Sequence, residues 1–298
     1  MDPRPDTLTQ LDDAVIRILA PNPSPMTYWG TNTYVLGTGK ARVLIDPGPD
    51  DASHRRAILN ALPQGTRLTH ILVTHAHVDH SAGARALAQE TGAPIFAFGD
   101  AQTGRAPHMD ALAQDGLLAG GEGLDHGFVP DETVRHDTVL DTPAGAIKAL
   151  HTPGHMGNHL CFGFHDTVFS GDLIMGWSSS LISPPDGDAA AFRDSCALVV
   201  NHAPARLYPG HGAPVQTPRE RIRFLLNHRA AREAQILRAL GEKPMDLLTL
   251  TRAVYTDLPA SHLPMAARNT LAHLIDLSQK NRVSATPKLA ESATFSVR

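Results

Sequence analysis

The chain has 298 residues, 42% of them hydrophobic and 19% charged, with 2 Cys and 17 His. This length suits one large domain or two with a sizeable core, and two cysteines exclude a disulfide-stapled miniprotein. Apolar residues recur in short runs between Gly and Pro, which excludes general disorder. No run reaches the roughly eighteen apolar residues of a membrane-spanning helix.

Cys161 and Cys196 lie outside any CxxC pattern and read as buried free thiols. With an acidic N-terminus that lacks an apolar signal segment, the expected location is cytoplasmic. The formal net charge of −4 hides an asymmetry. Residues 1–214 carry 13 Lys/Arg against 23 Asp/Glu, whereas residues 215–298 carry 13 against 7. That break predicts two domains, 1–214 and 215–298.

In chain order, residues 31–37 and 41–49 read as two strands joined by a turn at Thr38, Gly39 and Lys40. Residues 51–62 follow as a short helix with Ile58, Leu59 and Leu62 on one face, and a second helix over 81–91 follows the strand HILVTH. IFAF offers another strand. Residues 99–127 then form a long Gly- and Asp-punctuated connection, with at most one short helix and a position suited to capping a cleft. TVLDT, AIKALHT, HLCFGF and TVFSGD are four short strands; a helix over 187–201 precedes ARLYPGHG, a strand ending in a glycine-rich loop.

Such strands and helices, without regular βαβ spacing, point to helices covering packed sheets rather than to a doubly wound parallel sheet. Beyond Pro218 a long helix carries Ile222, Leu225, Leu226, Ile236, Leu237 and Leu240 as apolar positions, with its arginines facing water. Two further helices and a terminal hairpin fit a small winged-helix-like module, and the same order also fits a plain helical cap.

The sharpest chemical signal is THAHVDH, directly after the apolar strand ILVT and before a helix opened by Ser81. Alternate residues of an extended segment point the same way, so His75 and His77 can grip one ion. The turn into the helix redirects Asp79 and His80 toward a second. Imidazole and carboxylate suit Zn²⁺, with Mn²⁺ or Fe as further candidates. His155 in HTPGH, Asp172 in SGD and His211 in PGHG are each weak alone, but all stand at strand ends, where loops converge over one face of a scaffold.

From about Thr31 to Gly212 the chain resembles the metallo-beta-lactamase-fold hydrolases on these motifs: THxHxDH as His75, His77, Asp79 and His80, then His155, Asp172 and His211. The resemblance implies a four-layer αββα sandwich of the α+β class. It also implies that His75, His77 and His155 hold one metal, that Asp79, His80 and His211 hold the other, and that Asp172 bridges them. GTNTYVLG, LIDPGP, HRAAREAQIL and the helical C-terminus are similar to the beta-lactamase-like proteins with a terminal winged helix, a group that includes a single-strand-specific endoribonuclease.

The expected activity is that of a binuclear metal-dependent hydrolase that uses a metal-activated hydroxide, with Asp79 as ligand and orienter of the nucleophile. Its expected substrate is a small ester, thioester, lactone or amide, because the acidic N-terminal part should not attract polyanions. A single-strand-specific endoribonuclease is the first alternative, resting on the basic C-terminal part with RNA as partner. A noncatalytic metal-binding or scaffold protein is the second. Trp177, Ser178, Ser179 and Ser180 are candidates to line the substrate entrance, Tyr28 and Trp29 to pack the sandwich edge. His151 reads more readily as a packed histidine than as a group fixing a ligand's tautomer. Monomer and homodimer both fit the sequence.

Overall fold

Two strands that the sequence reading passes over open the fold in the computed structural model, which describes residues 3–117 and 123–298. They are β1 (Leu8–Asp12) and β2 (Val15–Leu19), a hairpin that buries Val15, Ile18 and Leu19. β3 (Asn32–Leu36) and β4 (Ala41–Ile45) follow at their expected places. The carboxylate of Asp51 caps α1 (Ala52–Ala61) by accepting from the His54 N–H. After β5 (Arg67–Leu72) the expected helix over 81–91 is two: α2 (Val78–Ser81) and α3 (Ala84–Thr91).

Gly83 explains that break. Its N–H donates to the Gly48 carbonyl at 2.9 Å, and a Cβ there would meet the carbonyl oxygens of Pro47, Gly48 and Pro49 at 3.0–3.1 Å. Ser81 therefore ends the first helical turn instead of opening a helix. β6 (Ile95–Ala97), α4 (Pro107–Gln114) and β7 (Glu132–Thr133) follow. Residues 118–122 of the expected capping connection lie outside the described residues.

These strands form a seven-stranded sheet in the order β1-β2-β3-β4-β5-β6-β7, antiparallel as far as β4 and parallel beyond it. A five-stranded sheet faces it, built from β8 (Val139–Thr142), β9 (Gly145–His151), β10 (Leu160–Phe164), β11 (Thr167–Gly171) and β12 (Arg206–Pro209). Its order is β12-β11-β10-β9-β8.

Between the sheets Ile45 and Leu72 meet Phe162, Phe169 and Tyr208 in one apolar core. Burying each of these aromatic side chains is worth about 2–3 kcal/mol. Helices α1 and α3 cover the outer face of the first sheet, with Ile58 and Leu87 in its core. α5 (Ala189–His202) covers the second, burying Phe192 and Val199. The result is the expected four-layer αββα sandwich.

α6 (Pro218–Glu242) joins the two parts: Ile222 and Leu225 enter the core beneath α5, whereas Ile236 and Leu240 enter a separate C-terminal core. That core also takes α7 (Leu247–Val254), α8 (Leu263–Gln279) and a sheet of β13 (Met245–Asp246), β14 (Val283–Thr286) and β15 (Thr294–Val297) in the order β13-β15-β14. The arginines of α6 do not all face water. Arg229 is buried with its guanidinium over the Phe192 ring at 4.4 Å, and Arg232 lies over the Tyr255 ring at 3.7 Å. Both positions trade hydration for a stacked aromatic face and carbonyl acceptors, an environment that a charge count along the sequence does not register.

Candidate metal centre

One edge of the sandwich collects the ends of β5, β9, β11 and β12. Cross-links between the sheets bring that edge together: Leu160 N–H donates to the Thr74 carbonyl at 2.7 Å, and Asn32 N–H donates to the Gly210 carbonyl at 2.7 Å. The loops that leave these strands, with the short helix α2, carry all seven histidines and aspartates singled out from the sequence, and their donor atoms converge. His75, His77 and His155 form one group, His75, His80 and Asp172 a second, and Asp79, His80 and His211 a third, each with donor atoms within 4.8 Å of one another. His77 Nδ1 lies 2.9 Å from His75 Nε2 and 3.0 Å from His155 Nε2. His211 Nε2 stands 3.3 Å from His80 Nε2 and 3.2 Å from Asp79 Oδ2. Asp172 sits between the groups, with Oδ2 at 3.7 Å from His155 Nε2 and 3.4 Å from His211 Nε2.

Hydrogen bonds behind the rings decide which nitrogen faces inward. Thr74 spends its hydroxyl proton on Asp46 Oδ2 at 2.8 Å, so it accepts from His75 Nδ1 at 3.0 Å. His80 Nδ1 donates to Asp46 Oδ2 at 2.9 Å, His155 Nδ1 to the Leu181 carbonyl at 2.8 Å, and His211 Nδ1 to the Gly30 carbonyl at 3.2 Å. In their neutral forms all four rings thus present an Nε2 lone pair to the centre. Asp172 Oδ1 is buried without a hydrogen-bond partner. Converging lone pairs and an orphaned carboxylate oxygen fit a pair of cations, which would satisfy every one of them.

The electrostatics divide the cluster. Burial, helped by neighbouring imidazoles, pushes His75 well below the ordinary histidine value and His77 down to about 3; burial also lowers His155. Burial opposes protonation of His80 and His211 as well, yet the facing carboxylates of Asp79 and Asp172 outweigh it, raising His80 well above its ordinary value and His211 to about 9. Those imidazoles in turn overcome burial to hold both carboxyls below the usual range. A divalent cation bound there would take the place of the extra protons on the second group.

Two contributors escaped the sequence reading. Asp46, at the end of β4, accepts from the Thr74 N–H at 2.7 Å as well as from the Thr74 hydroxyl and His80. Its φ of +53° lets the chain turn there into LIDPGP, and that motif was the available signal. His159 is buried with its ring 5.2 Å from that of His75, and its Nδ1 pairs with Thr152 Oγ1 at 2.9 Å. His151 is a packing residue. Its ring stacks on Phe98 at 3.8 Å and its Nε2 donates to the Gly157 carbonyl at 2.8 Å, bracing the turn that carries His155.

Two adjoining cavities of about 310 and 350 Å³ open over the donors and share Met26, His155, Asp172, Leu181 and Met265. Trp177, Ser178 and Ser179 line the first, along with Tyr255 and Leu258 of the C-terminal part. Ser180 instead is buried, donating to the Leu173 carbonyl at 2.6 Å. Trp177 stacks on Tyr28 at 4.7 Å, and Tyr28 leans on the buried Trp29 at 4.6 Å.

The family model described as the metallo-beta-lactamase superfamily matches residues 26–211, well over half of the chain. The chain belongs to the metallo-beta-lactamase superfamily. With its clustered donors, superfamily membership makes it a metal-dependent hydrolase. A second family model, the beta-lactamase associated winged helix domain, matches residues 247–291. A beta-lactamase-like protein 2 homolog of Drosophila melanogaster is 31% identical over 93% of this chain and 91% of its own length. An atrochrysone carboxyl ACP thioesterase of Passalora fulva is 30% identical over 83% of this chain and 69% of its own. Among solved structures, a metallo-beta-lactamase family protein from Thermus thermophilus shares the fold with a TM-score of 0.77 at 21% identity, covering 97% of this chain and 100% of that one. No helix among the described residues is long and apolar enough to cross a membrane.

Proposed function

We propose that the protein is a binuclear zinc hydrolase acting on a small ester or thioester with an apolar acyl group. In this reading His75, His77 and His155 would hold one ion and Asp79, His80 and His211 the other, with Asp172 available to both groups. Five imidazoles with two carboxylates are donors of the borderline hardness that zinc prefers. The chemistry that zinc supplies when bound is a water of lowered pKa and a positive charge for the substrate carbonyl.

The remaining steps fall to side chains of the chain. Asp79 and His77 are partly exposed toward the cleft, and Asp79 has a carboxylate oxygen with which to orient the attacking water and return a proton to the leaving group. Met26, Met265 and Tyr255 displace water from the acyl side, which strengthens every charge interaction on the floor. Residues 1–214 act as the catalytic unit, and residues 215–298 as a module that closes its cleft.

The observation that carries the substrate class is the lining of this cleft, where Tyr255, Leu258 and Met265 form an apolar wall beside the polar Ser178, Ser179 and Asn269. RNA would need a groove lined with available cations. Arg221 and Arg229, the α6 arginines beside the site, are instead committed to loop carbonyls, and Arg268, which lines the cleft, donates to the Ser183 hydroxyl. Three relatives are named as atrochrysone carboxyl ACP thioesterases, which favours a thioester. Zinc-loaded protein assayed in parallel on acyl thioesters, esters, lactones, beta-lactams and single-stranded RNA is expected to turn over thioesters or esters fastest. RNA cleavage as the dominant activity would overturn the substrate assignment.

A further inference from the structure

The peptide unit joining Leu181 to Ile182 is gripped at both ends. Its carbonyl oxygen accepts from His155 Nδ1 at 2.8 Å, and its N–H donates to Asn269 Oδ1, on α8, at 3.2 Å. A hydrogen bond at the N–H of an amide polarises the unit and strengthens the carbonyl as an acceptor.

No helix or strand fixes this peptide, because residues 176–188 follow an irregular path between β11 and α5. The C-terminal helices supply the restraint instead. Arg221 donates to the Met175 and Ser178 carbonyls, both at 2.7 Å, Arg229 donates to the Ser180 carbonyl, and Arg268 donates to the Ser183 hydroxyl at 3.0 Å. Among these contacts, Asn269 is the one that touches the peptide unit bonded to His155.

We propose that Asn269 is a positioning residue for His155: by orienting the Leu181–Ile182 peptide it fixes the Nδ1–H tautomer and aims Nε2 at His75 and His77. The C-terminal module thereby reaches one half of the metal centre through a single amide plane. This inference rests on the zinc reading above. It adds a dependence of zinc affinity on a residue that is not itself a donor to the metal.

Zinc titration against a competing chelator tests it, in wild type and in Asn269→Leu, Asn269→Ala and Asn269→Asp variants of the full chain. Leu and Ala both remove the acceptor, so a folding failure of one leaves the other informative; Asp keeps an oxygen in place. Removing the acceptor is expected to raise the zinc dissociation constant of one site about tenfold, the lower end for an outer partner of a metal-bound histidine. Asn269→Asp is expected to stay within about threefold of wild type. In ¹⁵N-histidine spectra, His155 should carry its proton on Nδ1 in wild type and Asn269→Asp, and show mixed tautomers in Asn269→Leu and Asn269→Ala. Unchanged zinc affinity and tautomer in a folded Asn269→Leu or Asn269→Ala protein would overturn the proposal while leaving the zinc reading intact. Equal loss in Asn269→Asp would overturn it too, by assigning the effect to packing. Absence of zinc binding in wild type would overturn both readings.

Discussion

Asp46 and Asp79 both stand beside His80, and they face different nitrogens of its ring. Asp79 Oδ2 is 3.6 Å from Nε2 on the side of the cleft, whereas Asp46 Oδ2 takes the Nδ1 proton at 2.9 Å from behind. Asp46 also accepts twice from Thr74, so an Asn at position 46 would turn an NH₂ toward groups that are already donors. Asp46→Asn is expected to weaken metal binding by about 10- to 100-fold, read by chelator competition. The donors in THAHVDH were legible because they are adjacent in sequence and their spacing matches the strand and turn that carry them. Asp46 was not, because an Asp before Pro-Gly reads as a turn residue. Its partners Thr74 and His80 lie about thirty residues away and reach it only through the parallel pairing of β4 with β5.

At the scale of elements, most strand and helix positions followed from apolar periodicity, and the exceptions have tertiary causes. The break between α2 and α3 comes from carbonyls of the loop after β4 pressing on Gly83. Gly83→Ala is expected to destabilise the fold by about 1–3 kcal/mol in denaturant unfolding, since backbone atoms cannot yield as a side-chain tip would. A loss of metal affinity should accompany it, because α2 carries Asp79 and His80. The hairpin of β1 and β2 went unread for a different reason. Its alternation is short and no residue of β1 is fully buried, so the pattern emerges only when β2 pairs with β3. The apolar positions of helix α6 stand as expected and Arg219, Arg223 and Arg238 do face water, but Arg221, Arg229 and Arg232 do not. The acceptors of Arg221 and Arg229 are backbone carbonyls between 43 and 49 residues distant in sequence, which periodicity cannot reveal.

For the whole molecule, the charge asymmetry of the sequence acquires a structural meaning. Part of the basic excess of residues 215–298 fastens the C-terminal helices to the loop over the metal donors, and the acidic excess of residues 1–214 includes the carboxylates of the site itself. Buried neutral histidines also shape the stability of the entire chain. Burial lowers His54 to about 4 and His273 to about 3, below the 6.5 of an exposed imidazole. At these two sites the unfolded chain binds protons that the folded chain refuses, so their contribution to stability is complete above about pH 6.5 and falls as pH drops toward 4. His54 alone should remove about 3 kcal/mol over that window. Denaturant unfolding at a series of pH values checks this, and His54→Gln should flatten the slope.

Hydrolysis by this chain depends on bound metal, and elemental analysis of protein purified without chelators tests that dependence most directly. The expected result is about two zinc ions per chain, with hydrolysis lost on chelation and regained when zinc is restored. Folded protein that binds no transition metal, or that hydrolyses its best substrate equally well after complete metal removal, would contradict it.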